Sequence, residues 1–502
     1  MRGMLSGRDI CSATAPLIWK GVRDMTILKK AYEIIDDRQD EITGMLQQLI
    51  SIPSVSVRTQ GDKPFGEEVN RCFQYMLQMA EQSGFETFNA DNYGGHIEYK
   101  GTDGEIVGIL GHIDVVPEGR DWDFEPYSGT ISDGRIYGRG AIDDKGPVVA
   151  VFCAMKALKS AGFEPARNIR LILGLDEETD WEGMEYYFTK TNKPDFGFSP
   201  DGDFPAIHGE KGIIIFDIAN KFGKSQTKGV ELRSVKGGNA ANMVADYARA
   251  ILLSDDKSDY EKIKEMLAEL RKQKGYKVTQ KQIGKSLEIV VQGVSAHGAK
   301  PEFGVNAVSV MMDILGHVNF ANDDMNSFID FYNTHIGFET DGSSMGCGLS
   351  DEASGNLVFN VGMIDMDSKS VDLTINIRYP VTFDEDSVYD AMMPVINRYN
   401  MGVVKGEHKA PVYMPSDSPL ITTLMKVYRE QTGDLDTKPL VIGGGTYARA
   451  ADNIVAFGAC MPGEEEMAHQ KNEYIKIDNL MLITKIYAQA IYELAKGEAC
   501  ND

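Results

Sequence analysis

IVGILGHIDVV, residues 106–116, is an almost unbroken apolar run that closes on a histidine and an acid. A strand with one wet face alternates apolar and polar positions, whereas a run like this one reads as a strand buried on both faces of an α/β sheet. Downstream, Val148, Val149, Phe152, Met155 and Leu158 recur at helical spacing across residues 145–161, and Gly162 follows where a helix ends. IRLILGLDEE, residues 169–178, is a second apolar strand. Strand, helix, strand at that spacing predicts an α/β sheet.

Upstream, Ala31, Ile34, Ile35, Ile42, Met45, Leu46 and Leu49 predict a helix over 25–50 that Pro53 ends. The middle of the chain changes character. LEIVVQGVSAHG (287–298) and VDLTINIRYPV (371–381) alternate like half-exposed antiparallel strands, each followed by a helical pattern. A chain of 502 residues exceeds one ordinary core. The expected division is therefore a first α/β domain over 25–211 and 411–502, interrupted by a second at 212–410. The first regains the Gly-rich segment VIGGGTYAR (441–449) and ends on a helix over 477–495. Residues 1–24 are expected to be a disordered or non-native extension, with Met25 as a candidate start.

The balance of 51 basic and 75 acidic residues leaves a formal charge of −24. Such a surface repels phosphate backbones and anionic lipid, so neither nucleic acid nor a membrane is an expected partner. No apolar run reaches the length of a membrane span. Near the N-terminus the apolar stretch from Ala15 to Trp19 is short and broken by Pro16, so a secretory signal is not expected there. Six cysteines (Cys11, Cys72, Cys153, Cys347, Cys460 and Cys500) are scattered with no C-x-x-C pair, a usage that suits a reducing cytoplasm.

His112 and Asp114 stand two apart at a strand end, so both project to one face. Ligands of open α/β sheets bind beyond the carboxyl ends of the strands, which is where this pair falls. An imidazole can hold a metal through one nitrogen while a carboxylate takes the other N–H, a part Asp114 can play. Taken alone, the pair also reads as a strand-end histidine satisfied by its neighbour. Asp143 and Asp144 follow in GRGAIDDKG, before a helix that Asp144 could cap. Adjacent carboxylates repel unless a cation neutralises them, and Glu177 with Glu178 repeats the problem after the second strand. Asp201, in SPDGDFP, adds an acid near another strand end. Four clusters of oxygen and imidazole donors at successive strand ends point to a metal site.

GHIDVVPEG, YGRGAIDDKGP, LGLDEETDWEG, SPDGDFP and MAHQKNEY, in that order, resemble the signature segments of a co-catalytic di-metal peptidase and deacylase family. Aminoacylase, carnosinase, succinyl-diaminopimelate desuccinylase and the bacterial dipeptidase V group are among its members. The resemblance implies a di-metal exopeptidase-like catalytic domain with an inserted α/β lid domain. It implies that His112 and Asp201 bind one ion, that Glu178 and His469 bind the other, and that Asp143 bridges both. The Asp143–Asp144 bond would be cis, Asp114 would orient His112, and Glu177 would be the general base. A hydroxide bridging two ions about 3.5–4 Å apart is a strong nucleophile near neutral pH. Glu177 would take its proton and deliver it to the leaving amine.

The same resemblance assigns His297, in GVSAHGAKP, to the tetrahedral oxyanion. Arg378 would bind the terminal carboxylate of the substrate through its planar fork. Asn242 and the loop Gly443, Gly444, Gly445 and Thr446 would make further substrate contacts, because glycines let backbone N–H groups approach an anion. His96, His208, His317, His335 and His408 match nothing and read as structural or surface residues.

An insert of nearly 200 residues resembles the dipeptidase V group, in which the chain supplies its own oxyanion histidine; a monomer is implied. The expected activity is hydrolysis of small unblocked dipeptides, possible β-alanyl substrates included. Deacylation or desuccinylation of N-acyl amino acids is the alternative use of the same site. Zinc is the expected metal, with manganese and cobalt as alternatives.

Overall fold

The computed structural model describes residues 15–224 and 228–497, with side chains from Thr26 onward. The chain divides into two compact units: one runs to His208 and includes Met414–Leu440 and Thr446 onward, the other comprises Gly209–Tyr413 and Val441–Gly445. Each has its own apolar core.

In the first unit the strands Asn168–Gly174, Ile106–His112, Phe196–Ser199 and Ile454–Phe457 lie side by side and parallel. Gly95–Tyr99 extends one side and Ala206–Glu210 the other, both antiparallel. Every residue of Ile106–His112 is buried, as the apolar run requires. The helix Lys145–Ser160 packs against Ile477–Ala495, and both contribute to the same core as the sheet. At its first residue Lys145 is wholly buried, and its ammonium donates to the carbonyls of Leu49 (2.9 Å) and Ile52 (2.7 Å). Those carbonyls lie at the C-terminal end of the helix Gln39–Ile50 and just past it, and they satisfy a charge that burial would otherwise penalise heavily.

The second unit is an eight-stranded antiparallel sheet. Ser286–Gln292 alternates buried and half-exposed residues as the sequence pattern requires. Helices Lys257–Lys274, Ala307–Leu315, Asp323–His335 and Glu385–Arg398 share one apolar core with its strands.

Three sequence expectations change. The helix expected over 25–50 is two, Ala15–Asp37 and Gln39–Ile50, broken at Arg38, whose φ of −113° is not helical. Apolar periodicity runs through the break and cannot register it. Of the segment 1–24, residues 1–14 lie outside the described residues and the first helix begins within the remainder. The Gly-rich residues 441–445 also group with the second unit, where the Lys211 amide donates to the Ile442 carbonyl at 2.9 Å.

Candidate metal centre

The parallel strands of the first unit bring their carboxyl ends to one edge, and the acids and histidines gather there. His112 ends its strand, Asp201 lies two residues past Ser199, and Glu177 and Glu178 follow Gly174 through a turn. Asp176 builds that turn: wholly buried, its carboxylate accepts the Gly183 amide (3.0 Å) and its carbonyl accepts the Trp181 amide (3.2 Å). The Trp181 indole N–H in turn donates to the Glu177 carbonyl at 2.6 Å.

Asp143 sits at the middle. Its Oδ1 is 3.0 Å from His112 Nε2 and its Oδ2 is 3.1 Å from His469 Nε2. Each histidine meets a second carboxylate, Asp201 at 4.0 Å from His112 and Glu178 at 3.0 Å from His469. Single donor atoms lie within 4.8 Å of one another in three groups: His112, Asp143 and Asp201; Asp143, Glu178 and His469; and His112, Glu177 and Glu178. The first two are the sets that the sequence resemblance implies. The third brings Glu177, assigned there as a base, within ligand range as well. The Asp143–Asp144 peptide bond is cis. His469 has φ +63°, in the left-handed region that a non-glycine residue adopts only when its surroundings hold it there.

Two further acids support these residues. His112 Nδ1 lies 3.1 Å from the backbone carbonyl of Asp114 and 3.4 Å from its carboxylate. Wholly buried, that carboxylate also accepts the amides of Glu177 (3.2 Å) and Glu178 (3.1 Å), tying the histidine strand to the glutamate turn. Asp144 occupies the cap position of its helix without a side-chain cap bond. Its Oδ2 accepts the His112 amide at 3.2 Å instead, and its buried Oδ1 meets no partner among the described residues.

The electrostatics of the cluster bear on what it can hold. Burial and then the Asp143 charge push the Asp201 pKa up to about 7. Burial also raises Glu177 and Asp144 well above the carboxylate range, and Glu178 above it. Burial alone would raise Asp143 too, but hydrogen bonds from His112 and His469 hold it below the usual value. His469 rises to about 10 through its bonds to Asp143 and Glu178. Carboxylates this crowded keep their charge at neutral pH when a cation sits among them, and imidazole with carboxylate oxygen is a donor set for zinc, manganese or cobalt. The residues present fit two divalent ions.

The remaining expected site residues lie in the second unit, apart from Thr446, and several converge there. Gly298 donates its amide to the Asn242 carbonyl at 2.7 Å, His297 pairs with Met243 as an antiparallel bridge, and Gly443 faces Ala299 so closely that a Cβ would stand 3.0 Å from the alanine methyl. His297 Nδ1 accepts the Ala299 amide at 3.2 Å. Arg378 is buried and donates from Nε to Asn376 (2.9 Å), whose cross-strand neighbour Asn360 donates to the carbonyls of Ala241 and Met243 (both 3.0 Å). Asn376 and Asn360, cross-strand neighbours on one sheet, thus stand between Arg378 and the Asn242–His297 corner. Thr446 uses its hydroxyl locally, accepting the Ala448 amide at 3.3 Å, and Gly444 and Gly445 precede it in the loop. Of the histidines read as structural, His96 meets Tyr187, His208 the Met414 carbonyl, His335 the Ser344 carbonyl and His408 Tyr379.

Sequence reasoning passed over Asp176, Arg139, Glu473 and Tyr447. Tyr447 is wholly buried, edge-on to the rings of His112 (6.1 Å) and Trp181 (5.3 Å). Arg139 and Glu473 form an ion pair at 2.7 Å with 2% and 0% of their side chains exposed. Arg139, Glu473 and Tyr447 are single residues whose partners are remote in sequence, whereas Asp176 bonds the nearby Trp181 and Gly183. The one available signal was proximity: Glu473 lies four positions after His469 and Arg139 four before Asp143.

The model of peptidase family M20/M25/M40 matches residues 108–493. A Staphylococcus aureus protein provisionally named a dipeptidase is 36% identical over 473 residues, covering 93% of this chain and 99% of its own. Human carnosine dipeptidase 1 has a similar fold, with a TM-score of 0.55 at 19% identity over 94% of this chain and 99% of that one. Aminoacylhistidine dipeptidase of Vibrio alginolyticus gives 0.55 at 15% identity over 91% and 96%. No helix among the described residues is long and apolar enough to cross a membrane.

Proposed function

The chain belongs to peptidase family M20/M25/M40 and is a hydrolase of peptide bonds, and from that premise we propose that it is a di-metal dipeptidase for small unblocked dipeptides, β-alanyl ones included. The observation that carries this reading is Asp143, with one carboxylate oxygen toward each of two histidines that each meet a further acid. One ion would be held by His112 and Asp201, the other by Glu178 and His469, with Asp143 between them. When bound, the two ions would polarise the scissile carbonyl and activate water near neutral pH.

Glu177 takes the proton of the attacking water and delivers it to the leaving amine. Its burial among other acids keeps its proton affinity high, as a base operating near neutrality needs. We assign the oxyanion contact to His297 and the grip on the terminal carboxylate to Arg378. The buried Asn376 bond that fixes the Arg378 fork supports the second assignment. A dipeptide reading is favoured over longer peptides by the 36% identical relative's provisional name. The chain carries its own candidate for the oxyanion histidine, so a monomer is proposed; an obligate dimer on gel filtration would overturn that point.

The test is hydrolysis by chelator-stripped protein with zinc or manganese restored, offered free dipeptides beside N-acetyl and N-succinyl amino acids. Metal-dependent cleavage of the dipeptides, lost in Glu177→Gln, is the expected result. Turnover of the acylated amino acids alone would move the protein to the deacylase branch of the family.

A further inference from the structure

We infer that Glu473 and Arg139 are the positioning pair that sets the Asp143 and His469 segments against each other, so that the second ion meets ligands already in place. This rests on the metal-centre reading above. Glu473 is wholly buried and its two oxygens accept four N–H donors. Oε2 takes the Arg139 guanidinium (2.7 Å) and the Gly140 amide (3.1 Å), while Oε1 takes the amides of Ile142 (2.9 Å) and Asp143 (3.2 Å). A carboxylate has about four lone-pair sites, so its capacity is filled.

Arg139 reaches the other segment. Its fork also lies within 3.3 Å of the Gln470 carbonyl and 3.5 Å of the His469 carbonyl, with Pro117 and Glu118 carbonyls at 3.4 Å each. Its guanidinium covers the Trp122 ring at 5.3 Å. The backbone closes the same joint, because the Gly138 amide donates to the Glu473 carbonyl at 2.9 Å. One buried ion pair therefore grips the amide of the shared ligand, 330 positions upstream of Glu473, and the carbonyl of the histidine ligand. His469 needs such a hold, because its backbone stands at φ +63° and its side chain is 53% exposed.

An amide of equal volume cannot replace Glu473. In Glu473→Gln one oxygen becomes an NH2 that faces N–H donors, so two of the four bonds become donor–donor contacts. Supporting contacts of this kind change metal affinity by about 10–100-fold. The ion held by His469 should weaken by that factor and the one held by His112 and Asp201 by less, because Glu473 and Arg139 reach the shared Asp143 and the His469 segment but neither His112 nor Asp201.

The experiment is competition of zinc against a chelator on the full-length protein, comparing wild type with Glu473→Gln, Arg139→Lys and His469→Ala. The expected result is two zinc sites in wild type, of which Glu473→Gln and Arg139→Lys weaken the one that His469→Ala abolishes. Excess zinc should then restore kcat with the dipeptide KM unchanged. Arg139→Lys keeps a cation against Glu473 and carries the test should Glu473→Gln not fold. Variants that match a two-zinc wild type, or that weaken both sites equally, overturn the positioning role alone. Wild type that binds no zinc overturns the metal-centre reading beneath it.

Discussion

Asp143 and His469 meet at 3.1 Å through Oδ2 and Nε2, leaving the other Asp143 oxygen to His112 at 3.0 Å. One carboxylate thereby belongs to two donor sets at once. Replacing it with an amide leaves one oxygen and puts N–H donors where a ligand should be. Asp143→Asn should lose at least about a hundredfold in kcat/KM, beyond the range of a supporting residue. Metal analysis after dialysis should find fewer than two zinc ions per chain. Full retention of two ions would remove Asp143 from the bridging position.

The sequence made the edge of the first unit readable because hydrophobicity and charge change together there. Ile106–His112 is apolar along its length and closes on a histidine, and three of the four parallel strands end near an acid. What pattern cannot carry is a single residue whose partners are far along the chain. Glu473 and Arg139 have no periodicity, and the amides and carbonyls they hold belong to loops. Nor can spacing decide between a helix cap and a supporting acid at Asp144, since both roles want a carboxylate before a helix. The division of the Gly-rich loop between units fails for a related reason. Its place follows from the Lys211–Ile442 backbone bond, which any residue at those positions could make.

Gly174 tests how tightly the His112 surroundings are packed. A Cβ there would stand 2.2 Å from the Tyr447 hydroxyl oxygen, and Tyr447 is wedged between His112 and Trp181. Overpacking a filled core costs about 1–3 kcal/mol. Gly174→Ala should lower Tm by a few degrees and weaken zinc binding as the tyrosine shifts against His112. An unchanged Tm would mean that this wall of the site yields freely.

His96 supplies a pH signature away from the metal cluster. Burial chiefly, and then the Arg170 guanidinium, hold its pKa down at about 3. The unfolded chain takes up this proton near pH 6.5 and the folded chain only near 3, so the unfolded state binds more protons between those values. The stability is fully present above about pH 6.5 and is lost as pH falls toward 3. In urea unfolding between pH 4 and 7, the gap between wild type and His96→Gln should narrow or reverse toward acid, by up to about 1.4 kcal/mol per pH unit. A gap independent of pH would show that His96 takes up its proton equally in both states.

Substituting Arg378 tests the proposed split between carboxylate recognition and catalysis. Its Nε donates to Asn376 at 2.9 Å, which holds the plane of the fork. Lysine has no such fork, so Arg378→Lys should raise the dipeptide KM by about 10–100-fold, the scale of one charged hydrogen bond, with a smaller change in kcat. A dipeptide amide offers no carboxylate and should be a poor substrate for wild type to a similar degree. The decisive comparison is the variant acting on that amide: if both changes remove the same contact, the second adds little to the first. Losses that multiply would place the carboxylate elsewhere and reduce Arg378 to a structural member of its sheet.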